Sequence, residues 1–466
     1  MLEGVIYKPV IDVEKCGACG VCLRQCPAEL LRELRKGEES LRGLAYKYLE
    51  TAQSLDRVPD SPPCQLKCPI NQDIRGYVRL VAEEKYEEAL ELIRETNALP
   101  SVTGYVCHRP CESTCLRDSV EGPVAIRALK RFVADFDDSR LVPLQVGQNK
   151  GQKVTIVGSG PSGLAAAYDL TRDGFQVEII EASSQPGGML RWAIPSFRLP
   201  RKILDRDISY IQKMGVTIKT GIKLGAGVTL ADLRNDGTDA VILAIGTQQG
   251  LKMGVENETS LSGYMDCLTF LRDYASGRQV ALERKAIVIG GGNAAIDTAR
   301  VALRCGVKEV KIFYRRSYEE MPADKDEIAE AQAEGVGIIY LSAPVRIIEK
   351  DGVVRGVEFI KTKLAQRDKS GRRSPVPIKG SEFVEKANSV ISAVGQQADL
   401  SWNQNGLSFK LSPGNTFMVN DSCMTNIEGI FAAGDAVNGP TTIVEAMASG
   451  KKAASSAALY LSKERR

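Results

Sequence analysis

The chain has 466 residues, 43% apolar and 26% charged, with a formal net charge of +3. Such a length supports two or three domains with sizeable cores. The near balance of charge excludes a nucleic-acid footprint, and no run of about 18 apolar residues is present to span a bilayer. No signal or transit peptide is recognisable after Met1, so a cytoplasmic location is expected. Nine of the twelve cysteines fall between residues 16 and 115. In a reducing compartment, dense cysteines followed by prolines read as metal ligands and not as a disulfide framework.

The first cysteines, Cys16, Cys19, Cys22 and Cys26, are followed by Pro27 in the spacing C-x2-C-x2-C-x3-C-P. A short glycine-containing loop of this kind wraps three thiolates around one face of a [4Fe–4S] cubane, and the fourth can turn away to a second cluster. Only one such run occurs, so a complete two-cluster ferredoxin domain is absent. Residues 29–58 read as a charged helical connector with a leucine stripe (Leu30, Leu34, Leu41, Leu44).

A turn at Pro59–Pro63 leads into Cys64-Gln-Leu-Lys-Cys68-Pro69, then helical patterns from about Asp73 to Glu95, then Cys107, Cys111 and Cys115. Five cysteines in this helical segment suffice for one further cluster and leave one over. His108, the only histidine, reads as a polar loop residue beside a cysteine-rich turn. The words C-x3-C-P, Asp73-Ile74, Asn97-x-Leu-Pro100, Val106-Cys107, Cys111-Glu112-x2-Cys115, Val124-Ala-Ile126 and Phe132-x-x-Asp135 carry a family likeness. The segment resembles the iron–sulfur domain at the front of the glutamate synthase small subunit and of dihydropyrimidine dehydrogenase. The resemblance implies two clusters, built with two further cysteines just upstream and a non-cysteine ligand downstream. This chain departs at both ends: no cysteine occupies the 37 residues before Cys64, and Lys130 stands near the downstream position. The Cys16–Cys26 run could replace the missing ligands. Nine cysteines suffice for two [4Fe–4S] clusters, with their partition open.

After a linker at about 137–151, the apolar run from Lys153 ends on Gly158 and enters an alanine-rich helical pattern through Gly160, Pro161, Ser162 and Gly163. In such a G-x-G-x-x-G turn the first glycine permits the bend. The second lets backbone approach a pyrophosphate, and the third lets helix and strand pack closely. The phosphates would rest on the free N–H groups of the helix N-terminus. A second strand, Gln176–Ile180, ends on Glu181, placed 23 residues after Gly158 to accept from an adenosine ribose. Next comes Gly187-Gly188-Met189-Leu-Arg-Trp-Ala-Ile194-Pro-Ser-Phe-Arg198-Leu-Pro200, which is similar to the same glutamate synthase family. That resemblance implies that Glu181, Met189, Arg198 and Leu224 contact FAD.

A second strand–turn–helix unit begins at Lys285 and runs through Gly290, Gly292, Asn293, Ala294 and Ala295. Two such units fit one chain holding a flavin and a nicotinamide. Here the second strand, Val310–Tyr314, ends in Arg315-Arg316 with no carboxylate. Two guanidiniums offer charge-assisted contacts to a 2′-phosphate, so NADP(H) is favoured over NAD(H). The words Tyr-Arg-Arg…Met321-Pro…Gly335-Val336 also resemble the glutamate synthase small subunit. Residues 341–388 hold an exposed hairpin at Glu349–Gly352 and a basic loop from Lys361 to Arg373.

The final word, Gly429-Ile-Phe-Ala-Ala-Gly434-Asp435, places a carboxylate to accept from a ribityl hydroxyl. A helix starting near Thr441 and Thr442 would aim its N-terminus at the flavin. This is similar to the closing FAD motif of two-dinucleotide-fold flavoproteins.

The expected fold is α/β: a mainly helical iron–sulfur domain before two Rossmann-like domains for FAD and NAD(P). The expected boundaries are a ferredoxin-like segment at 1–45 and a helical iron–sulfur domain and linker at 46–150. The FAD domain is expected at 151–260 and 389–466, with the NAD(P) domain between them at 261–388. Cys267, Cys305 and Cys423 form no C-x-x-C, which disfavours a thiol–disulfide reductase. The expected function is hydride transfer between NAD(P)H and FAD, with electrons passed through [4Fe–4S] clusters to a larger catalytic or electron-accepting subunit. A self-contained flavin reductase, a subunit of a bifurcating complex and a non-catalytic cluster scaffold are the alternatives.

Overall fold

A computed structural model describes residues 61–136, 146–258, 261–280, 282–368, 371–403 and 407–463. Cys16, Cys19, Cys22, Cys26 and the leucine stripe lie outside the described residues. The described chain divides into two compact units, one of residues 61–96 with 109–133, the other of 97–108 with everything from 134 onward.

The amino-terminal part is helical: α1 (Pro63–Lys67), α2 (Ile74–Ala82), α3 (Tyr86–Arg94), α4 (Pro100–Val106) and α5 (Ile126–Phe136). Asp73 caps α2 by accepting from the Gly76 N–H, which satisfies one orphan donor of the first turn. Glu84, in the left-handed region at φ 59°, separates α2 from α3. In the first unit the two helices close over Tyr77, Leu90 and Ile93, all buried. The Tyr77 hydroxyl reaches the Ile126 carbonyl and the buried Gln72 amide reaches that of Ile93. In the second unit, α4 is anchored by Asp207, which accepts from Ser101 Oγ at 2.8 Å and from the Val102 N–H at 3.0 Å.

The second unit carries two all-parallel sheets. In chain order its principal elements are β1 (Lys153–Val157), α6 (Pro161–Arg172), β2 (Gln176–Glu181), α7 (Met189–Trp192), α8 (Arg201–Lys213), β3 (Thr217–Thr220) and β4 (Ala240–Leu243). There follow β5 (Gln249–Gly250), β6 (Tyr264–Asp266), α9 (Cys267–Ala275), β7 (Lys285–Gly290), α10 (Asn293–Arg304), β8 (Glu309–Phe313), α11 (Lys325–Ala333) and β9 (Gly337–Ile339). The chain continues through β10 (Ser342–Lys350), β11 (Val353–Arg367), β12 (Arg373–Lys386), β13 (Ser389–Ala393) and β14 (Gln396–Gln397). It closes with β15 (Ile430–Ala432) and α12 (Ile443–Lys463).

The first sheet has the order β15-β4-β1-β2-β3 and the second β6-β13-β7-β8-β9. Each is parallel throughout, and the central strands β1, β4, β7 and β13 are largely buried runs because both faces are covered. The helical region followed by two Rossmann-like sheets is the architecture the sequence implies. Among the described residues no helix is long and apolar enough to cross a membrane.

The expected hairpin at Glu349–Gly352 is present. Asp351 and Gly352 both adopt positive φ and bring Lys350 opposite Val353, as a two-residue turn of the primed type requires. The expected basic loop is different. Lys361–Arg367 belongs to β11, the centre of the antiparallel sheet β10-β11-β12. Its exposed charges hide an alternation in which Thr362 is buried and its hydroxyl donates to the Arg315 carbonyl.

Candidate cofactor sites

At the carboxyl ends of β1 and β2 the chain surrounds a cavity of about 530 Å³. The three glycines of the first turn have distinct geometries. Gly158 bends at φ 105°, and a Cβ there would meet the Ala244 carbonyl at 2.4 Å. Gly160 is the N-cap of α6 and faces open space, with nothing within 4 Å of an added Cβ. Gly163 presses α6 onto the strand end, where a Cβ would stand 2.0 Å from the Gly158 carbonyl. Gly188 abuts the same turn, its added Cβ 2.8 Å from Gly160 Cα.

Glu181 ends β2 and is buried. Its carboxylate accepts from the Ser159 N–H at 3.0 Å and from the Ser159 hydroxyl, and its other oxygen accepts from the Ser183 N–H at 2.7 Å. Pro161, Ser162, Glu181, Gly188, Met189, Leu224, Asp435, Thr441 and Thr442 all line the cavity. Gly434 packs behind them against Ser162. Asp435 accepts from the Thr441 N–H at 3.1 Å and hydroxyl at 2.8 Å, and burial raises its carboxyl above the ordinary value. Thr442 and Glu445 bond reciprocally at the start of α12.

Arg198 does not line the cavity. Its guanidinium binds Asp297 at 2.7 Å and Glu327 at 2.8 Å, on α10 and α11 of the second sheet's domain. Burial pushes the fully enclosed Asp297 carboxyl up to about 6, although Arg198 opposes that rise. Both ion pairs tie Arg198 to the second sheet's domain.

Trp192 and Trp402 line the cavity, but their Nε1 atoms, like Ser162 Oγ, are enclosed by protein and have no hydrogen-bond partner among the described residues. The open approach at Gly160 and the carboxylates of Glu181 and Asp435 fit a ligand carrying phosphate and hydroxyl groups. Sequence reasoning passed over Ser159, Trp192 and Trp402. The one available signal was that the chain has only two tryptophans.

The second turn has the same plan. Gly290 would clash with the Ala393 carbonyl at 2.3 Å, and Gly291 lies against the Tyr314 ring. Gly292 caps α10 and opens onto free space. Asn293 is engaged on both sides: its amide nitrogen meets His108 Nε2, and its oxygen accepts from the Asp324 N–H at 2.8 Å. Ala294 is partly buried and Ala295 fully so, inside this domain's core. The two arginines diverge. Arg315 is exposed at the strand end. Arg316 is buried and donates to the Arg373 carbonyl at 2.8 Å and to Asp368 at 2.6 Å. The expectation of a paired clamp therefore reduces to Arg315 as the group facing outward.

In the first unit, α1 packs against the turn Glu112–Thr114, and Thr114 Oγ1 reaches the Pro63 carbonyl. This brings Cys64 toward Cys115. Burial raises the Cys64 thiol above its ordinary value, and Cys115 adds to the rise. The Val124 N–H donates to Cys115 Sγ at 3.4 Å, the type of contact that tunes cluster thiolates. Lys130 is buried. Cys107 is buried at the end of α4. Cys64, Cys68, Cys107, Cys111 and Cys115 are all outside disulfides. Among the described residues no group of three metal-ligating side chains is assembled.

Comparison with known proteins places these features. The family model described as pyridine nucleotide-disulphide oxidoreductase matches residues 152–450, and that described as dihydropyrimidine dehydrogenase domain II, 4Fe-4S cluster, matches 46–141. The chain belongs to the pyridine nucleotide-disulphide oxidoreductase family, in the class of FAD-dependent NAD(P)H oxidoreductases that carry an iron–sulfur domain. Within that class it is a module related to the small chain of glutamate synthase and to enzymes of the dihydropyrimidine dehydrogenase type. The glutamate synthase [NADPH] small chain of Escherichia coli is 34% identical over 84% of this chain and 87% of its own length. The NADP(+)-dependent formate dehydrogenase subunit beta of Moorella thermoacetica is 41% identical over 90% of this chain. The chain spans only 61% of that relative's length. Among solved structures, Mycobacterium tuberculosis FprA in complex with NADPH matches with a TM-score of 0.58 at 20% identity. It covers 67% of this chain and 85% of its own, and shares the fold.

Proposed function

We propose that this chain passes reducing equivalents from NADPH, in preference to NADH, through FAD and two [4Fe–4S] clusters to a larger partner subunit. The observation that carries the reading is the cavity at Gly158–Gly163, with its open approach at Gly160 and the carboxylates of Glu181 and Asp435. When bound there, FAD supplies an acceptor for hydride and a donor of single electrons. Gly160 and the free N–H groups of α6 receive the pyrophosphate, Glu181 the adenosine ribose and Asp435 the ribityl chain. Met189 and Leu224 pack against the cofactor, and the N-terminus of α12 favours negative charge beside the reduced ring. Residues 151–260 and 389–466 form the FAD domain. Residues 261–388 hold the nicotinamide nucleotide, with Gly290, Gly292, Asn293, Ala294 and Ala295 around its phosphates and Arg315 at its 2′-phosphate.

The nine amino-terminal cysteines hold the clusters. The partner is suggested by relatives whose names designate a subunit or small chain. A glutamate synthase type of assembly and a formate dehydrogenase type both accommodate this module.

Anaerobic purification of the full chain tests the reading. Stoichiometric FAD, about eight iron and about eight sulfide per chain are expected, with rapid flavin reduction by NADPH in stopped flow. Absence of bound FAD, or iron near half that value at full flavin occupancy, overturns the cofactor assignment. Fast turnover of a small acceptor without any other subunit overturns the partner.

A further inference from the structure

We propose that His108 is a positioning residue for the nicotinamide nucleotide: its imidazole accepts from the Asn293 amide and holds the first turn of α10 in the shape that receives the phosphates. The inference rests on the nicotinamide reading of the second turn. It adds a residue 185 positions away that belongs to no nucleotide motif.

Gly292 caps α10 without a side-chain hydrogen bond, and Asn293 is the first residue of the helix. The Asn293 side chain is oriented by its neighbours. Its Oδ1 accepts from the Asp324 N–H at 2.8 Å, so the other end of the amide is the nitrogen, and that nitrogen meets His108 Nε2. An amide NH2 can only donate, which makes Nε2 the acceptor. With the Asn293 side chain spent on protein, the backbone N–H groups at the start of α10 are the donors left for phosphate. They lie beside the open space at Gly292.

His108 can act as a fixed post because of what precedes it. It follows Cys107, the C-cap of α4. Asp207 of α8 holds that helix to the first sheet's domain through Ser101 and Val102, and Arg206 Nε donates to Ser101 Oγ at 3.2 Å. Within the arm, Asn97 Nδ2 donates to Thr103 Oγ1 at 2.9 Å while its Oδ1 accepts from the Leu99 N–H at 2.9 Å. The histidine thus carries an anchorage on the first domain to the nucleotide turn of the second. Without it the Asn293 amide keeps only its bond from Asp324, and the nucleotide itself must order the turn, at a cost in affinity. The pyrophosphate is common to both nucleotides, so the cost falls on NADPH and NADH alike.

The test uses the full chain with its cofactors, purified anaerobically, and follows flavin reduction in stopped flow. His108→Leu should raise the Kd for NADPH and for NADH about fivefold each. The limiting rate, the flavin spectrum and the iron content should stay as in wild type. His108→Gln, whose Oε1 can stand where Nε2 stands, should recover most of the affinity. On an Asn293→Ala background His108→Leu should cost nothing further, since the link is already gone. An unchanged Kd in His108→Leu overturns the proposal. So does a loss confined to one nucleotide, a loss that His108→Gln fails to restore, or one that adds to that of Asn293→Ala. Lower iron content in His108→Leu would mark a structural role and also overturn it. A wild type whose flavin neither nucleotide reduces overturns the nicotinamide reading as well.

Discussion

The two glycine turns share a plan and differ in how the residues at the ends of their second strands are held. At the first, Glu181 is gripped by Ser159 of the turn it faces and by Ser183, two residues on. At the second, Arg316 is gripped by Asp368 and Arg373, which belong to the remote β11–β12 hairpin. The carboxylate is positioned locally, whereas the arginine pair is sorted by a distant piece of sheet that buries one member and leaves the other outside. A residue just past the end of β8 is thus held from a hairpin that carries no nucleotide motif.

The largest expected effect separates packing glycines from approach glycines. Gly163→Ala drives a Cβ into the Gly158 backbone and should destabilise the chain by about 3 kcal/mol. Gly292→Ala meets nothing within 4 Å and should leave the melting temperature intact while weakening nucleotide binding. Thermal unfolding of both variants checks the contrast, and equal losses would break it.

Next in size, Glu181→Gln should weaken FAD by about 2 kcal/mol, the worth of a charge-assisted hydrogen bond. Titration of the apoprotein with FAD measures it. At the second turn, Arg315→Ala should raise the KM for NADPH about tenfold and barely change that for NADH. The preference of the wild type should also fade as salt rises, because an exposed charge is screened. Arg316→Ala should instead lower the melting temperature and affect both nucleotides alike. A selective effect of Arg316 on NADPH would erase the distinction drawn between the two arginines.

The smallest effect lies on the second domain's outer face. Hydrogen bonds from Arg304, and then from Arg300, hold the Glu334 carboxyl down to about 2. A depressed carboxyl contributes stability that is present above its ordinary value of 4.5 and is lost as pH falls toward 2. Glu334→Gln should flatten the melting temperature over that window, which an acid titration by circular dichroism would register.

The parallel sheets, the helical front and the glycine turns were legible because each rests on local requirements: apolar β-branched runs, and backbone positions where a Cβ would collide. The Asp351-Gly352 hairpin was legible for the same reason. What stayed hidden depends on partners far away in sequence. The partners of Arg198, Asp297 and Glu327, come from the other domain. Lys361–Arg367 looks like a solvated loop because charge masks the buried side of β11.

The edge strand of the first sheet has a further consequence for biosynthesis. Ile430 of β15 pairs with Val241 of β4 across the whole of the second domain, and Gly450 of α12 sits so close to α6 that a Cβ would meet the Ser162 carbonyl at 2.1 Å. A ribosome must finish the second domain before the first can be sealed. During translation the β4 edge and the apolar face of α6 wait uncovered, the condition in which nascent chains recruit chaperones. The second domain, contiguous in sequence and complete at β13, can fold before the first domain, which surrounds it in the chain, is closed.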